Sequence, residues 1–205
     1  MPARLFVIAA PSGAGKTSLV KELVRRNPDL VFSISYTTRP QRATEENGRD
    51  YFFVTPAEFA ELEAKGELLE SACVFDYRYG TSRTQVETQL ARGRSVILEI
   101  DWQGARQVRR ARPDCVSIFI LPPSAAELAR RLKARGTDTE ATIERRLADA
   151  LGDMSHWHEF DYCVVNDDFE RAVQALTAII AGGGQDCRCD DPALRRRIAE
   201  IVTPS

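Results

Sequence analysis

The chain has 205 residues, the length of one domain with room for small inserted subdomains. Its 43% hydrophobic and 28% charged residues are close to the averages for globular proteins, which excludes disordered, collagen-like and coiled-coil chains. The 28 Lys and Arg residues against 30 Asp and Glu residues give a net charge of -2, so no basic field is present to hold nucleic acid or an anionic membrane, and an anionic ligand must be bound locally.

The first predicted element is a strand at Leu5–Ala10, a short apolar run that ends in Pro11-Ser-Gly. Continuous apolar runs of this length are typical of strands buried on both faces of a parallel sheet. The run is shorter than the apolar part of a secretory signal peptide, and no other stretch approaches the roughly 18 apolar residues of a membrane span. We therefore expect a cytoplasmic protein with no membrane partner.

A glycine-rich turn, Ala10-Pro-Ser-Gly-Ala-Gly-Lys-Thr17, follows this strand and leads into a helix predicted at Lys16–Arg26. In this context the glycines direct successive backbone N–H groups toward an oxyanion at the N-terminus of the helix. Lys16 then reaches the β- and γ-phosphates of a nucleotide, and Thr17 offers its hydroxyl to Mg²⁺. Ala10 replaces the first glycine of the usual G-x-x-x-x-G-K-[ST] pattern. The alternative to a phosphate-binding loop is a glycine-rich turn with a surface lysine.

Residues 36–94 interrupt the alternation of strands and helices, and we interpret them as an insertion into the sheet domain. Short strands are predicted at 51–54, 68–75 and 77–80, around two helices. Arg39, Arg42 and Tyr51 lie close together in the sequence at the start of this insertion. Because arginine forks match phosphate oxygens, these residues indicate a site for a phosphate monoester, with solvated loop arginines as the alternative.

The alternation resumes at residue 95. Strands are predicted at Ser95–Ile100, Val116–Leu121 and Tyr162–Val165, and helices at Gln103–Arg112, Ala125–Ala134 and Phe169–Ile180. Strands that alternate with helices of this length indicate an α/β fold with a doubly wound parallel sheet. Asp101-Trp-Gln-Gly104 matches the D-x-x-G element of switch GTPases, but no guanine-reading N-K-x-D motif follows it, which disfavours that class.

The last segment follows Gly182-Gly-Gly184 and contains a short helix from Asp191. We expect a loosely attached tail that is dispensable for catalysis. The five cysteines are odd in number and scattered, which favours reduced thiols, and the Cys187-x-Cys189 pair is too sparse for a zinc site.

An ordered set of motifs between about Arg4 and Ile180 resembles the guanylate kinase family, nucleoside monophosphate kinases that convert ATP and GMP to ADP and GDP. The set comprises Pro11–Thr17, Ser35–Arg42, Gly48–Phe53, Glu70, Tyr79–Thr81, Glu99–Gly104, Arg135–Thr137, Arg145-Arg146 and Val165–Asp167. The resemblance implies a P-loop NTPase-type sheet with an inserted GMP-binding subdomain and a short lid. The core then covers 1–35 and 95–184 with the lid at about 134–146, the insertion covers 36–94, and the tail at 185–205 departs from the family pattern.

The resemblance also implies the roles of individual residues. Those that would bind ATP are Ser12, Gly13, Ala14, Gly15, Lys16, Thr17, Ser18, Arg135 and Asn166. Those that would bind GMP are Ser35, Arg39, Arg42, Tyr51, Glu70, Tyr79, Gly80, Thr81 and Asp101. The implied catalytic residues are Lys16, Arg39, Arg131, Arg135 and Arg146, although Arg131 and Arg146 also fit a solvated helix face. Thr17 and, through water, Glu99 would hold the Mg²⁺ that accompanies ATP.

The implied reaction transfers the γ-phosphoryl group of ATP to GMP, with dGMP as a second acceptor. The acceptor oxygen is already ionised near neutral pH, so catalysis needs positioning and charge stabilisation rather than a strong base. One alternative is a guanylate-kinase-like module that binds protein partners without turnover, which the intact Lys16 and Thr17 disfavour. Another is a different nucleoside monophosphate kinase. The oligomeric state stays open.

Overall fold

The computed structural model describes residues 2–74, 76–134 and 140–202. The chain divides into two compact units. Unit 1 comprises Met1–Val7 and Pro28–Val116, and unit 2 comprises Ile8–Asn27 and Ser117–Ser205. The boundary falls within the first strand, β1 (Leu5–Ala9), in which each residue is buried as the apolar run predicts.

Unit 1 contains two groups of strands. Its strands are β2 (Leu30–Phe32), β3 (Tyr36–Thr37), β4 (Phe52–Phe53), β5 (Leu68–Val74), β6 (Tyr77–Ser82) and β7 (Ser95–Glu99), and its helices are α2 (Pro56–Ala64), α3 (Arg83–Ala91) and α4 (Trp102–Ala111). β2 pairs with β7 in parallel, with Leu30 opposite Ser95. The strands β3 to β6 form a separate four-stranded sheet of order β4-β3-β6-β5. The segment interpreted as an insertion therefore carries a sheet of its own.

Unit 2 holds the glycine-rich turn and the second half of the chain. Its elements are α1 (Lys16–Arg26), β8 (Val116–Leu121), α5 (Ala125–Ala134), α6 (Glu140–Met154), a 3-10 helix (Ser155–Glu159), β9 (Tyr162–Val165), α7 (Phe169–Ile180), a second 3-10 helix (Gln185–Cys187) and α8 (Pro192–Val202). β8 and β9 pair in parallel, with Ile118 opposite Tyr162. The larger sheet has the order β2-β7-β1-β8-β9. This non-sequential order, joined by helices, confirms the α/β class.

Side-chain caps define where two of the helices in unit 1 begin. Thr55 Oγ1 accepts a hydrogen bond from the Glu58 N–H at 3.2 Å, and Glu58 Oε2 accepts from the Thr55 N–H at 2.7 Å. This is the reciprocal capping box of α2. Asp101 caps α4 through a single bond, since its Oδ1 accepts from the Gly104 N–H at 2.6 Å. Because Asp101 is the cap, α4 begins one residue earlier than predicted.

The expectation of a loosely attached tail is wrong over residues 185–202. Leu194, Ile198 and Ile201 of α8 are buried, and their spacing of four and three residues places them on one helical face. The Cys189 N–H donates to the carbonyl of Asp161 at 3.0 Å, and Arg188 forms a bridge with Tyr162 of β9. The polar composition of the segment obscured this apolar face.

None of the helices in the described part of the chain is long and apolar enough to cross a membrane. All five cysteines are free thiols, as their number and scatter predict.

Candidate active site

The glycine-rich turn in unit 2 has the geometry of an anion-binding loop. Gly13 and Gly15 adopt φ angles of 91° and 93°, which side chains other than glycine rarely tolerate. The Ala14 N–H donates to the Pro11 carbonyl at 3.2 Å, which closes the turn. α1 begins at Lys16, and its cap Gly15 has no side chain that could occupy the first N–H groups. The N-terminus of α1 is therefore a favourable place for phosphate oxygens.

Two side chains donate hydrogen bonds to the Ala14 carbonyl of this loop. Asn166 Nδ2 donates to the Ala14 carbonyl at 2.8 Å, and Arg131 Nη1 donates to the same oxygen at 3.3 Å. Arg131 Nη2 also donates to the Asn166 carbonyl at 3.1 Å. A Cβ on Gly15 would lie 2.5 Å from Asn166 Nδ2, so the close contact with Asn166 requires glycine there. These contacts place Asn166 and Arg131 against the loop.

Glu127 fixes the position of Arg131. Its Oε1 accepts from Arg131 Nε at 2.8 Å, and its Oε2 accepts from Arg130 Nε at 2.7 Å. Hydrogen bonds from Arg130 and Arg131 lower the pKa of Glu127 to about 2, so this carboxylate stays ionised at neutral pH. The sequence predicts Glu127 as a helix-start residue after Ser124 and as a neighbour of Arg131 on a solvated helix face. The pairing of acidic and basic residues at i, i+3 and i+4 is the signal that reveals its second contact.

The remaining residues expected at the donor site lie in the loop, in α1 and in α6, except for Arg135. Lys16 opens α1, and Thr17 and Ser18 follow it on the exposed side of the first turn. Ser12 is half-buried within the turn. Arg146 lies in α6, half-buried. Arg135 lies outside the described residues, as do its neighbours at 136–139 in the segment expected to form the lid.

In unit 1, Arg39 is the centre of a second cluster. Its Nη2 donates to Glu45 Oε1 at 2.7 Å, and its Cζ lies 5.4 Å from the centre of the Tyr51 ring. Burial opposes the positive charge of Arg39, but hydrogen bonds with Glu45 and Tyr79 outweigh it, so the pKa of Arg39 is raised. The Tyr51 and Tyr79 rings are 5.9 Å apart in an edge-to-face arrangement. The structure thus brings together Arg39, Tyr51 and Tyr79.

Arg42 lies at the exposed border of this cluster, with 66% of its side chain accessible. Its backbone N–H donates to Glu45 Oε2 at 2.9 Å, so Glu45 connects Arg39 and Arg42. The sequence analysis missed Glu45, which carries no motif of its own. Glu45 follows Arg42 by three residues and Arg39 by six, and this spacing is the signal in the sequence that indicates the ion pairs.

Tyr51 keeps its proton over an extended pH range. Burial is the largest cause, followed by the negative charge of Glu99, and together they raise the pKa of Tyr51 to about 12. A phenol in this state is a hydrogen-bond donor at neutral pH, as binding to a phosphate oxygen requires.

A buried carboxylate forms a third feature, also in unit 1. Glu70 on β5 is 4% exposed and faces Thr81 on β6, which is fully buried. Glu70 Oε1 accepts from Thr81 Oγ1 at 2.7 Å. A Cβ built on Gly104 would lie 2.5 Å from Glu70 Oε2 and 3.2 Å from Asp101 Oδ1, so both carboxylates border the first turn of α4. Acceptor oxygens grouped in this way suit a ligand edge rich in N–H donors.

The other two residues expected at the acceptor site, Gly80 and Ser35, and the expected metal-site residue Glu99 lie on or next to strands of unit 1. Gly80 is on β6, where a Cβ would lie 2.9 Å from Leu68 Cδ1. Ser35 is half-buried just before β3, and its carbonyl accepts from the Phe52 N–H at 2.9 Å. Glu99, expected to act through water on Mg²⁺, is half-buried at the end of β7.

Comparison with known proteins gives a consistent result. The guanylate kinase family model matches residues 2–182. The chain is 54% identical over 198 residues to the guanylate kinase of Methylococcus capsulatus, covering 97% of either chain. It is 50% identical over 202 residues to that of Alkalilimnicola ehrlichii, covering 98% of this chain and 100% of the relative. The crystal structure of guanylate kinase from Anaplasma phagocytophilum has a TM-score of 0.74 and 33% identity, with 98% of this chain and 97% of that chain covered.

Proposed function

Because the chain belongs to the guanylate kinase family, we propose that the loop of unit 2 binds the donor nucleotide and that the two clusters of unit 1 bind the acceptor. The enzyme transfers the γ-phosphoryl group of ATP to GMP and yields ADP and GDP. The observation that carries the assignment of the acceptor is the buried Glu70 carboxylate, held by Thr81 beside the first turn of α4.

On the donor side, the backbone of residues 12–18 and the Lys16 ammonium bind the ATP phosphates. The positive φ angles of Gly13 and Gly15 and the uncapped start of α1 support this role. Arg131, Arg135 and Arg146 stabilise the charge that develops on the transferring group. Asn166 contributes to ATP binding, and its bond to the Ala14 carbonyl means that it also supports the shape of the loop.

We propose that Mg²⁺ accompanies ATP. Among the described residues, no group of three or more His, Cys, Asp or Glu side chains is arranged to hold a metal. In nucleotide sites Mg²⁺ keeps several waters and takes most of its other ligands from phosphate oxygens, so it needs few ligands from protein side chains. The Thr17 hydroxyl would supply one hard oxygen ligand, and Glu99 would act through water. When bound, the ion neutralises charge on the β- and γ-phosphate oxygens.

The phosphate of GMP binds to Arg39, Arg42, Tyr51 and Tyr79. Arg39 is already oriented by Glu45, and the protonated Tyr51 donates a hydrogen bond. No residue of the chain has to act as a strong general base, because the attacking phosphate oxygen carries no proton near neutral pH. The acceptor side therefore serves to orient this oxygen toward the donor.

The guanine base is recognised by Glu70, with Ser35, Thr81 and Asp101. A carboxylate accepts hydrogen bonds from both N1–H and the 2-amino group of guanine, whereas adenine presents an acceptor at N1 and has no 2-amino group. A buried carboxylate left without these donors is costly, which favours strong discrimination. We propose dGMP as a second acceptor, because it carries the same base and the same phosphate as GMP. The five free thiols support a reducing, cytoplasmic location.

An assay coupled to ADP release, with GMP, dGMP, AMP, UMP and CMP as separate acceptors, tests this function. We expect the highest kcat/KM with GMP and activity with dGMP. Preference for AMP, UMP or CMP would contradict the assignment of the acceptor. Absence of turnover with every acceptor would support a binding module instead.

A further inference from the structure

Gly104 stands at an unusual place for a glycine. It is the third residue of α4, in the ordinary helical conformation, and it is buried. Glycine is a poorer helix former than alanine because it loses more backbone freedom on folding. No positive φ angle requires glycine here, so the reason must lie in what surrounds the missing side chain.

The surroundings of Gly104 are two carboxylates. A Cβ at this position would lie 2.5 Å from Glu70 Oε2, 3.2 Å from Glu70 Cδ and 3.2 Å from Asp101 Oδ1. Separations under 3 Å are not tolerated between such atoms, so one of the groups would have to move. Glu70 is constrained, since it is 4% exposed and its other oxygen is bound by Thr81.

The helix is also constrained. One turn after Gly104, Gln107 Oε1 accepts from the Ser71 N–H at 3.1 Å, and Gln107 Nε2 donates to the Ser71 carbonyl at 2.6 Å. Ser71 follows Glu70 on β5, which is an edge strand of the four-stranded sheet. The amide of Gln107 therefore pairs with this edge as another strand would, and it holds α4 against the residue next to Glu70.

We propose that Gly104 determines the base specificity of the acceptor site as a positioning residue, together with Gln107. The missing side chain lets the Glu70 carboxylate lie against the first turn of α4, where the helix dipole favours negative charge. Gln107 keeps the turn at this distance. This inference rests on the proposed role of Glu70 in reading guanine, and it assigns the placement of that carboxylate to α4.

Gly104→Ala is the central test. The added methyl group displaces the carboxylate by roughly 1 Å, a misplacement that costs on the order of 10- to 100-fold in kcat/KM. We expect this loss with GMP, mostly as a higher KM, while kcat/KM with AMP changes less than threefold and KM for ATP is unchanged. Gln107→Ala is expected to raise KM for GMP several-fold in the same selective manner.

The matched control is Gly152→Ala. Gly152 is also a helical glycine, in α6, but a Cβ there would meet nothing within 4 Å. This variant should keep wild-type selectivity and equal or greater thermal stability. A Gly104→Ala variant that loses activity with GMP and AMP alike, or that keeps the wild-type ratio, would overturn the inference.

A double-mutant cycle separates this inference from the proposed function. If Glu70→Gln narrows the preference for GMP over AMP, Gly104→Ala added to Glu70→Ala should change kcat/KM for GMP less than twofold, because the group that the methyl group displaces is then absent. If Glu70→Gln leaves the preference unchanged, the guanine-reading role of Glu70 fails. If Glu70→Gln narrows it and the effect of Gly104→Ala is fully additive, the role of Glu70 stands and that of Gly104 fails.

Discussion

Arg39 is held by several neighbours before any phosphate arrives. Glu45 and Tyr79 hydrogen-bond its guanidinium group, and the rings of Tyr51 and Phe53 lie beside it. Only 11% of its side chain is exposed. A long, flexible side chain that is ordered in advance loses less entropy when ligand binds, which is why this cluster suits a phosphate site.

The first prediction concerns Tyr51 at alkaline pH. Because the pKa of Tyr51 is raised to about 12 in the folded protein, chiefly by burial, against about 10 in an unfolded chain, its contribution to stability is complete below pH 10 and is lost as the pH rises through 12. When the pH rises from 9 to 11, the free energy of unfolding of the wild type should fall by about 1 kcal/mol more than that of Tyr51→Phe. Urea unfolding at each pH measures this. The exposed Tyr77, changed to Phe, is the control. If the free energies of unfolding of Tyr51→Phe and wild type change equally with pH, the raised pKa of Tyr51 is contradicted.

The second prediction concerns Lys16. We expect Lys16→Ala to lower kcat by about 10²- to 10⁴-fold, because the ammonium group stabilises charge on the donor phosphates in the transition state. Binding of GMP alone, measured by calorimetry, should change only a few-fold. Lys21→Ala, an exposed residue of the same helix, should be neutral. Near-normal turnover of Lys16→Ala would argue against phosphate binding by the loop.

At the scale of elements, segments with a continuous apolar run or a helical pattern were predictable from the sequence, whereas β2 and β3 were not. The predicted bounds of α1, α5, α7, β8 and β9 agree with the structure. β2 and β3 have three and two residues, too few for a hydrophobic pattern, and they exist through pairing with distant strands. The residues of the sites also differ in how far the sequence predicts them. The arginines and Glu70 belong to the ordered set of motifs. Gln107 binds the backbone of Ser71, which is 36 residues away in the chain, and no local pattern predicts that contact.

The loop before α1 supplies the third prediction. Gly15→Ala should raise KM for ATP and lower kcat, together at least tenfold in kcat/KM, because the methyl group meets Asn166 Nδ2 at 2.5 Å. Gly93→Ala is the matched control, since Gly93 has a φ angle of 75° and a Cβ there would meet nothing within 4 Å. In both variants the positive φ angle destabilises the backbone by a similar amount, about 1 kcal/mol. Steady-state kinetics separate the two, and equal effects would mean that backbone strain alone matters.

At the scale of the molecule, the C-terminal segment belongs to the packed core of unit 2. Ile198 is fully buried, and Arg197 Nη2 donates to Asp167 Oδ2 at 2.6 Å, one residue after Asn166. The expectation that this segment is dispensable for catalysis came from its position after Gly182–Gly184 and from the absence of site residues in it, and it stays a prediction. The buried residues of the segment predict that it contributes to stability.

The fourth prediction tests this contribution. Ile198→Ala should lower the free energy of unfolding by about 2–4 kcal/mol, the usual cost of truncating a buried isoleucine. For a chain of this size the melting temperature should fall by roughly 4–15 °C. Arg196→Ala, on the exposed face of α8, should stay within about 0.5 kcal/mol of wild type. An Ile198→Ala variant as stable as wild type would restore the interpretation of a loose tail.

The division of the chain has a consequence for its biosynthesis. Unit 1 is complete once Val116 has been translated, whereas unit 2 combines Ile8–Asn27 with residues from Ser117 onward. On the ribosome, the glycine-rich loop is therefore synthesised early. Arg131 of α5 and Asn166, which donate hydrogen bonds to the Ala14 carbonyl of the loop, are synthesised much later. We expect protease protection of residues 28–116 in nascent chains that do not yet bind ATP. Protection and ATP binding that arise at the same chain length would contradict this order.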